Sequence, residues 1–484
     1  MHLLALAVGL VGAPAADPDA GLAAAYFPGL ELRAAELAPA PGQTRDNILF
    51  IVVDAMRPDH MSIYGYGRPT TPFMAEYFKD GLTFLHHYVN APWTRPSTAT
   101  MLTGLHPSEH RTQTDRSKLP AEIRTVAQEL AALGYQTAAV VGNGNGSSVA
   151  SLDRGFQHYV DTASHWDGLP PAATVYQEAA KWVDEKRDPN KPFFMFLFLI
   201  DPHDPYRAPP EYEKEWLPKG FEGEPRRRAH WEYKNNYPKA ERDSMLAVYD
   251  ASIRYTDDQT RIFFDGLEKR GLLKNTSVVV TADHGDGFGE HGYYLHGYHH
   301  YDEIIRVPLL IKSRALPGRG HVFHVTQGID LLPTFVRWAG GTPKPTLPGA
   351  GIGALVRAPI DTGRVVLSEY KDYGVHRSAL ANLRWRVILQ MPADAELFDE
   401  RIPRRELLPS VSFDREVLHV YDRRNDPRDT KNLAGNKSLV KEPRTMVEHL
   451  RAWMKASAAS DGSVSPKDVP KRTIENLRSL GYVQ

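Results

Sequence analysis

Five short apolar runs constrain the fold of this chain more than any other feature. Each run is apolar throughout instead of alternating with polar residues, as strands are when both faces of their sheet are covered. Amphipathic segments of helical length lie between them, at 121–133, 172–186 and 243–270. This alternation predicts an α/β sandwich with a mainly parallel central sheet. The runs are NILFIVVD (47–54), QTAAVVG (136–142), FFMFLFLI (193–200), TSVVVTAD (276–283) and VPLLIK (307–312).

Polar side chains stand where three of these runs end. Asp54 and Asp283 occupy the last positions of two predicted strands, and His203 follows the 193–200 run by three residues. In an open sheet covered by helices, reactive groups gather beyond the carboxyl ends of the strands. We therefore expect these three side chains to converge on one edge of the sheet.

The composition excludes some function classes. The chain has 484 residues and a formal net charge of -1, so its length suits one large domain and a smaller one. A net charge near zero gives no electrostatic reason to expect a nucleic-acid-binding surface, which normally requires a basic face. Because the sequence contains no cysteine, disulfides and thiolate chemistry are excluded.

The termini and the composition along the chain predict its organisation. Residues 1–46 read as a possible signal peptide and leader, although a frayed, alanine-rich N-terminus explains them equally well. A periplasmic or secreted location and a cytoplasmic one both stay open, and we expect no transmembrane segment. A Pro/Gly-rich stretch after residue 340 predicts a boundary between a main domain, 47–340, and a smaller C-terminal α+β subdomain, 341–484. Within the latter, VVLSEY and RWRVIL are strand-like and a last helix is predicted near 471–480.

The segment ADHGDGFGEHGYYLHG, residues 282–297, is the most informative in the chain. Asp283 and His284 are adjacent at a strand end, and a carboxylate beside an imidazole suits a divalent cation. The glycines around them permit close approach of the backbone. The pair alone is equally consistent with a structural hydrogen bond. Together with Asp54 on another strand, a metal site becomes the better interpretation.

An ordered set of motifs resembles the sulfatase family of the alkaline phosphatase superfamily. The resemblance runs from about residue 47 to the C-terminus and implies an alkaline-phosphatase-like three-layer sandwich. It also implies one or two divalent metals and attack by an alcohol-type nucleophile on an anionic sulfate or phosphate ester. The matching stretches are NILFIVVDAMRPDHMSIYGYGRPTTP, PWTRPSTATMLTGLHPSEH, DPHDPY, TADHGDGFGEHG, YDEIIRVPLLI, IDLLPTF and VYDRRNDPRDTKNLA.

The resemblance assigns roles residue by residue. It implies that Asp54, Asp283 and His284 are metal ligands, and Thr94 falls at the nucleophile position, close enough to be a fourth ligand. Sulfatases carry there a Cys or Ser that is converted to formylglycine. The frame after Thr94 is preserved, since Pro96 suits the first turn of a helix and Gly104 its end. A nucleophile at such a helix start would attack an anion held by backbone N–H groups.

The chain departs from the sulfatase pattern at the positions that carry sulfate chemistry. Oxidation of the secondary alcohol of Thr94 would give a ketone, not the aldehyde that formylglycine needs, so that route is excluded here. The positive charges that grip sulfate are largely replaced as well. Thr98 stands for an arginine, Asn143 and Asn145 for the lysine and histidine of G-K-W-H, His296 for a further lysine, and Ala55 for the second Asp.

The remaining residues are similar to those of superfamily members with a plain threonine nucleophile. Phosphoethanolamine transferases have a D-H-G-x-x-x-G-E-x-G-x-Y-L-H-G run that residues 283–297 reproduce, and nucleotide-type phosphodiesterases also use a threonine. By this resemblance Thr94, His203 and His296 are the catalytic residues. Thr94 would be the nucleophile, and the two histidines would hold the non-bridging oxygens or protonate the leaving group.

The predicted activity is metal-dependent hydrolysis of a phosphodiester, phosphonate or sulfate ester through Thr94. A threonine ester must be cleaved by a second in-line displacement, which phosphorus chemistry on this fold commonly uses. Two alternatives stay open: a phosphoethanolamine-type transferase, and a catalytically inactive protein that binds an anion. The metal is Ca, Zn or Mn, and the oligomeric state is not indicated by the sequence.

Several charged residues near these motifs have predicted structural roles. We expect one ion pair between Arg57 and Asp59 and another between Glu303 and Arg306. His106 and His110 are expected to support the nucleophile helix. His299 and His300 are expected near the site, with a surface position for one or both as the alternative.

Overall fold

The computed structural model describes residues 24–38, 45–164, 170–227, 237–372, 375–392 and 415–457. The predicted signal peptide and the helix predicted near 471–480 lie outside the described residues. Within them the strands are β1 Glu36–Leu37, β2 Asn47–Val53, β3 Leu82–Phe84, β4 His87–Tyr88, β5 Gln136–Val141, β6 His158–Asp161, β7 Phe193–Leu199, β8 Thr276–Ala282, β9 Gly287–Phe288, β10 Tyr294–Leu295, β11 Leu309–Lys312, β12 Gly318–Val322, β13 Thr326–Gln327, β14 Val366–Asp372, β15 Val375–Ala381, β16 Trp385–Gln390 and β17 Val417–Asp422.

A nine-stranded sheet forms the centre of the main domain, in the order β1-β12-β3-β11-β8-β2-β7-β5-β6. The five strands from β8 to β6 are all parallel, as predicted for the apolar runs. The run at 307–312 is an exception, because β11 is antiparallel to both β8 and β3. An apolar run of this length carries no directional signal, and one antiparallel strand is compatible with the predicted, mainly parallel sheet.

The α-helices cover both faces of this sheet. Alternate residues of β2 divide between two cores: Leu49 and Ile51 pack on the side of the long helices, and Ile48 and Phe50 on the side of the nucleophile helix. This arrangement is the predicted three-layer sandwich. The helices are Pro72–Tyr77, Thr94–Thr103, Pro107–His110, Val126–Ala132, Ala172–Glu185, Pro210–Trp216, Lys239–Lys269, Asp302–Ile305, Leu331–Trp338, Ile352–Leu355 and Lys441–Ser457.

The helix predicted at 121–133 begins later, at Val126. Thr125 accepts a hydrogen bond from the Gln128 N–H, and the Gln128 side chain bonds the Thr125 N–H in return. Because of this capping box, residues 121–124 lie before the helix and are not part of it.

The C-terminal subdomain is a four-stranded antiparallel sheet, β14-β15-β16-β17, covered by the helix Lys441–Ser457. Leu450 and Met454 of that helix pack on Val387 and Leu389 of β16. Sequence analysis did not predict this helix. Ile352 packs into the main core, so part of the Pro/Gly-rich stretch belongs with the main domain.

In the part of the chain that the structure describes, every helix is too short or too polar to cross a membrane.

Candidate functional site

Three of the predicted metal ligands meet at the carboxyl edge of the sheet. Asp54 directly follows β2, while Asp283 and His284 directly follow β8, which is the parallel neighbour of β2. All three side chains are fully buried. One ligand atom from each lies within 4.8 Å of the others. Parallel pairing therefore brings together residues that are more than 200 positions apart in the sequence.

The chemistry of this group fits a cation. Nε2 of His284 lies 3.4 Å from Asp54 Oδ1 and 3.4 Å from Asp283 Oδ2, and neither oxygen has a hydrogen-bond partner. His284 Nδ1 is 2.8 Å from the Gly285 carbonyl, an acceptor, so Nδ1 carries the proton and Nε2 presents a lone pair. Three lone pairs facing one another in a buried site repel unless a positive charge lies between them.

The electrostatics of the carboxylates agree with that conclusion. Burial, followed by the nearby charge of Asp283, raises the pKa of Asp54 well above its usual range. Burial also raises the pKa of Asp283. Two further donors act on Asp283 Oδ1, the N–H groups of Ala55 at 3.2 Å and of His284 at 2.9 Å. The backbone thus fixes one oxygen of Asp283 and leaves the other for a cation.

Thr94 lies beside this group as the first residue of the helix Thr94–Thr103. Its Oγ1 is 3.2 Å from His284 Nε2. Ser97 Oγ donates to the Asp283 carbonyl at 2.6 Å, which ties the first turn of the helix to the ligand loop. Gly104 ends the helix in a left-handed conformation, with φ 68°, as predicted.

Asn143 has a position that sequence analysis did not predict. Its Nδ2 donates to Asp54 Oδ2 at 2.5 Å, and its Oδ1 accepts from the Asn145 N–H at 2.8 Å. Asn145 in turn accepts from the Arg95 guanidinium at 2.9 Å. The amide that stands where sulfatases have a lysine therefore holds a metal-ligand candidate in place.

His203 and His296 reach the same site from two further loops. The ring of His296 stacks on that of His284 with centroids 4.1 Å apart, and the His203 ring lies 4.8 Å from His296. Both imidazoles are buried. His203, Asp204 and His296 form a second group of ligand-type atoms within 4.8 Å of one another. The structure thus brings all the predicted site residues together.

Asp286 and Tyr206 complete the site; Tyr206 belongs to the DPHDPY stretch that carries the family resemblance, whereas Asp286 was missed by the sequence analysis. Asp286 Oδ1 is 3.2 Å from Nδ1 of His296, and Asp286 Oδ2 accepts from the Tyr206 hydroxyl at 2.7 Å. Burial raises the pKa of Asp286 to about 7. The available signal was its place in the glycine-rich segment, two residues after His284. A carboxylate that bonds Nδ1 orients the ring and directs Nε2 toward a ligand.

Two of the expected structural roles hold and one is wrong. Arg57 pairs with Asp59 at 2.7 Å, as predicted. Glu303 and Arg306 do not pair with each other. Glu303 Oε1 contacts His291 at 2.6 Å, because His291 lies over the start of the helix Asp302–Ile305. His110 supports the nucleophile helix, as predicted, with Nε2 3.2 Å from the Pro96 carbonyl.

Arg306 instead packs on the N-terminal segment. Its guanidinium lies 3.6 Å from the Tyr26 ring centroid, and its Nε is 3.5 Å from an Asp302 oxygen. His299 and His300 are both buried, which excludes the alternative that either lies on the surface. His300 contacts Ser368 Oγ and the Arg377 carbonyl at 3.1 Å each, so the C-terminal sheet covers these histidines.

Comparisons with known proteins agree with this architecture. The family model named Sulfatase matches residues 46–341, more than half of the chain. An N-acetylglucosamine-6-O-sulfatase of Bacteroides thetaiotaomicron is 22% identical over 511 residues, which cover 86% of this chain and 88% of that protein. Members of this family typically use a divalent metal.

Two solved structures share the fold. One, in complex with its substrate D-glucosamine-2-N,6-O-disulfate, has a TM-score of 0.70 at 20% identity and covers 86% of this chain and 99% of its own. The other, the phosphonate monoester hydrolase of Agrobacterium radiobacter, has a TM-score of 0.67 at 17% identity and covers 85% and 95%. Together with the family match, these findings show that the chain belongs to the sulfatase family and is an ester hydrolase of the alkaline-phosphatase-like fold.

Proposed function

We propose that this chain is a metal-dependent hydrolase in which Thr94 attacks a phosphodiester, a phosphonate ester or a sulfate ester. One observation carries the proposal. Thr94 Oγ1 lies 3.2 Å from His284 Nε2, at the start of a ten-residue helix and beside the unpaired oxygens of Asp54 and Asp283. A hydroxyl in this position would face both a cation and an anion held at the helix N-terminus.

Asp54, Asp283 and His284 would hold the metal, with Thr94 as a fourth donor. A bound divalent ion lowers the pKa of a hydroxyl that it contacts and neutralises charge on the transferring group. Four protein donors that include one imidazole nitrogen fit Zn²⁺ or Mn²⁺. Ca²⁺ normally takes six to eight oxygen ligands and would need additional water.

The reaction of the chain's own residues has two steps. Thr94 Oγ forms a bond to phosphorus or sulfur while the bond to the leaving oxygen breaks, and the leaving oxygen gains a proton in exchange for the one that the Thr94 hydroxyl loses. Water then attacks the Thr94 ester in line, releases the acid and restores the hydroxyl. Each step needs a group that holds the non-bridging oxygens and a group that moves a proton to or from the leaving oxygen.

We assign those two tasks to His203 and His296. Nδ1 of His296 faces Asp286 Oδ1 at 3.2 Å, and Nδ1 of His203 faces the Asp204 carbonyl at 2.5 Å. In each ring the contact of Nδ1 with an oxygen fixes the orientation of the imidazole. The side chains of Asp286 and Asp204 lie beside the two rings, at 3.2 and 3.4 Å from Nδ1.

The substitutions at the sulfate-gripping positions argue against a doubly charged phosphate monoester. Asn143 is committed to Asp54, and Thr98 carries no charge, so neither position supplies a cation to the substrate. A phosphodiester, a phosphonate monoester and a sulfate ester each carry one negative charge, and the second in-line displacement that a threonine ester requires favours the two phosphorus esters. The likeness to a phosphonate monoester hydrolase gives a precedent for such a substrate on this fold.

The test measures initial rates on bis(4-nitrophenyl) phosphate, 4-nitrophenyl phenylphosphonate and 4-nitrophenyl sulfate, each with Zn²⁺, Mn²⁺ or Ca²⁺. We expect the diester or the phosphonate to react fastest. Thr94→Ala should lower that rate by at least about 10³-fold, as loss of a nucleophile does. Thr94→Ser should retain most of it, and Thr430→Ala, at an exposed threonine, serves as the control.

Other outcomes select among the alternatives. Faster turnover of the sulfate would show that threonine supports sulfuryl transfer here. A rate that rises with an added alcohol and yields its ester would identify a transferase. No turnover in a protein that binds no metal would identify an inactive anion-binding protein.

A further inference from the structure

Arg377 in β15 is a buried cation without a counter-ion. Its side chain is 2% exposed, and Nε and Nη1 have no hydrogen-bond partner. Arg386 and Arg423 in the same subdomain are equally buried, but both pair with Asp302. Across the ranges that the structure describes, no ion pair involves Arg377. This guanidinium is therefore different from the structural arginines that surround it.

His299 lies in the segment that packs on β14 and β15, where Tyr298 contacts Tyr370, the cross-strand neighbour of Arg377, and both ring nitrogens of His299 are unpaired. It is 1% exposed and packs between the rings of Tyr293 and Tyr298, at centroid distances of 3.5 and 4.0 Å. The next residue, His300, contacts the Arg377 carbonyl at 3.1 Å. Burial, followed by the charge of Arg377, holds the pKa of His299 well below its usual range. A neutral imidazole and a cation thus share one buried polar region.

Such a region is unfavourable unless something satisfies it. Removing a guanidinium from water without a partner forfeits its hydration and leaves its donors unmade. An oxyanion supplies both the opposite charge and the acceptors, and a carboxylate or sulfate is the group that arginine binds most strongly. A neutral histidine can donate one further hydrogen bond to the same anion.

The region adjoins the candidate active site. His299 follows His296 by three residues, so their Cα atoms are at most about 11 Å apart. The Gly297 N–H donates to the Pro92 carbonyl at 3.1 Å, and the Glu369 N–H of β14 donates to the Asn90 carbonyl at 2.9 Å. These bonds hold both the histidine segment and the C-terminal sheet against the loop that precedes Thr94.

We propose that Arg377 and His299 form an anion subsite for a carboxylate or sulfate on the leaving group of the substrate. The proposal rests on the proposed function for the ester that is cleaved, and it narrows the substrate class to esters whose leaving group carries a second acidic group. It also explains why a charged side chain is kept in a buried position that lacks a protein partner.

Binding is tested first without turnover, on the full chain loaded with metal and carrying Thr94→Ala. Benzoate should raise the melting temperature of this protein, because a ligand of the folded state stabilises it. Adding Arg377→Met should remove most of that shift, whereas adding Arg444→Gln, at an exposed arginine, should not. Without benzoate, Arg377→Met should melt at the same temperature or higher. An equal benzoate shift in all three proteins, or a marked loss of stability in Arg377→Met alone, would overturn the proposal.

Turnover then identifies the source of the anion. Two aryl phosphodiesters are compared whose leaving phenols differ only in a carboxylate or an uncharged carboxamide at the same ring position. The kcat/KM of the carboxylate diester divided by that of the carboxamide diester should fall about 10- to 100-fold in Arg377→Met, as expected for the loss of a hydrogen-bonded charge pair. The same ratio should recover in part in Arg377→Lys. An unchanged ratio with an Arg377-dependent benzoate shift would assign the subsite to a free anion and refute the leaving-group source. If neither diester reacts, the proposed function fails. The benzoate-induced shift in melting temperature then shows by itself whether Arg377 and His299 bind an anion.

Discussion

Asn143 occupies the position where sulfatases have a lysine, and its replacement distinguishes a role in metal affinity from a role in substrate binding. In the structure its Nδ2 donates to Asp54 Oδ2 at 2.5 Å, so we expect Asn143 to act on metal affinity and not on substrate binding. Asn143→Leu removes this donor. Asn143→Asp removes it as well but keeps the Oδ1 that accepts from the Asn145 N–H, so it controls for the local turn.

The magnitude follows from the kind of bond that is lost. A hydrogen bond to an ionised carboxylate contributes about 1.5–3 kcal/mol. Since each 1.4 kcal/mol corresponds to about tenfold in an equilibrium constant, the metal dissociation constant should rise about 10- to 100-fold in Asn143→Leu. This range agrees with the effect of removing a group that orients a metal ligand.

The assay is competition for Zn²⁺ or Mn²⁺ with a chromogenic chelator, together with ester turnover at saturating metal. KM for the ester should change little once the metal site is filled. Asn190→Leu, at an exposed asparagine, is the control for the substitution itself. A metal dissociation constant within twofold of the parent protein, combined with a KM raised tenfold, would refute the reasoning and make Asn143 a substrate-binding residue.

Three further perturbations test the site and the fold. Removing metal with EDTA should lower the melting temperature, and Asp54→Asn should make the protein insensitive to EDTA in the same scan. Burial lowers the pKa of His87 and of His110 from 6.5 to about 3. Between pH 6.5 and 3 the unfolded chain therefore binds more protons, and each histidine should reduce the free energy of unfolding by up to about 1.4 kcal/mol per pH unit on acidification. Denaturant titrations at a series of pH values should show that the free energy of unfolding falls less steeply with acidification in His110→Gln than in the parent protein. Tyr206→Phe removes the donor to Asp286 and should lower kcat several-fold while metal content, measured by elemental analysis, stays the same.

Much of the sheet and the centre of the site could be predicted because both depend on simple periodic signals. A continuous apolar run that ends in a carboxylate places Asp54 and Asp283 on one edge once the strands are parallel neighbours. The position of His203 after the 193–200 run indicated the same edge, and the resemblance to a family then added Thr94 and His296. Their positions in the structure agree with that expectation, while their chemical roles stay predictions.

The supporting residues could not be predicted in the same way. Asp286 meets Tyr206 across 80 residues and Asn143 meets Asp54 across 89, so each contact depends on loop paths and side-chain rotamers that no local pattern encodes. The burial of His299 depends on a C-terminal sheet that packs over it. The start of the helix at Val126 was readable, since Thr125 and Gln128 have the spacing of a capping box.

The burial of the nucleophile helix bears on how the protein loses activity on heating and on how its substrate preference can evolve. Every residue from Thr94 to Thr103 is buried, and Ser97 ties the helix to the loop that carries Asp283. The helix that carries Thr94 is therefore part of the main core, and we expect heat inactivation to coincide with global unfolding instead of preceding it. New substrate preferences should then arise from substitutions in the surrounding loops and the C-terminal sheet, which can vary without disturbing the rigid centre.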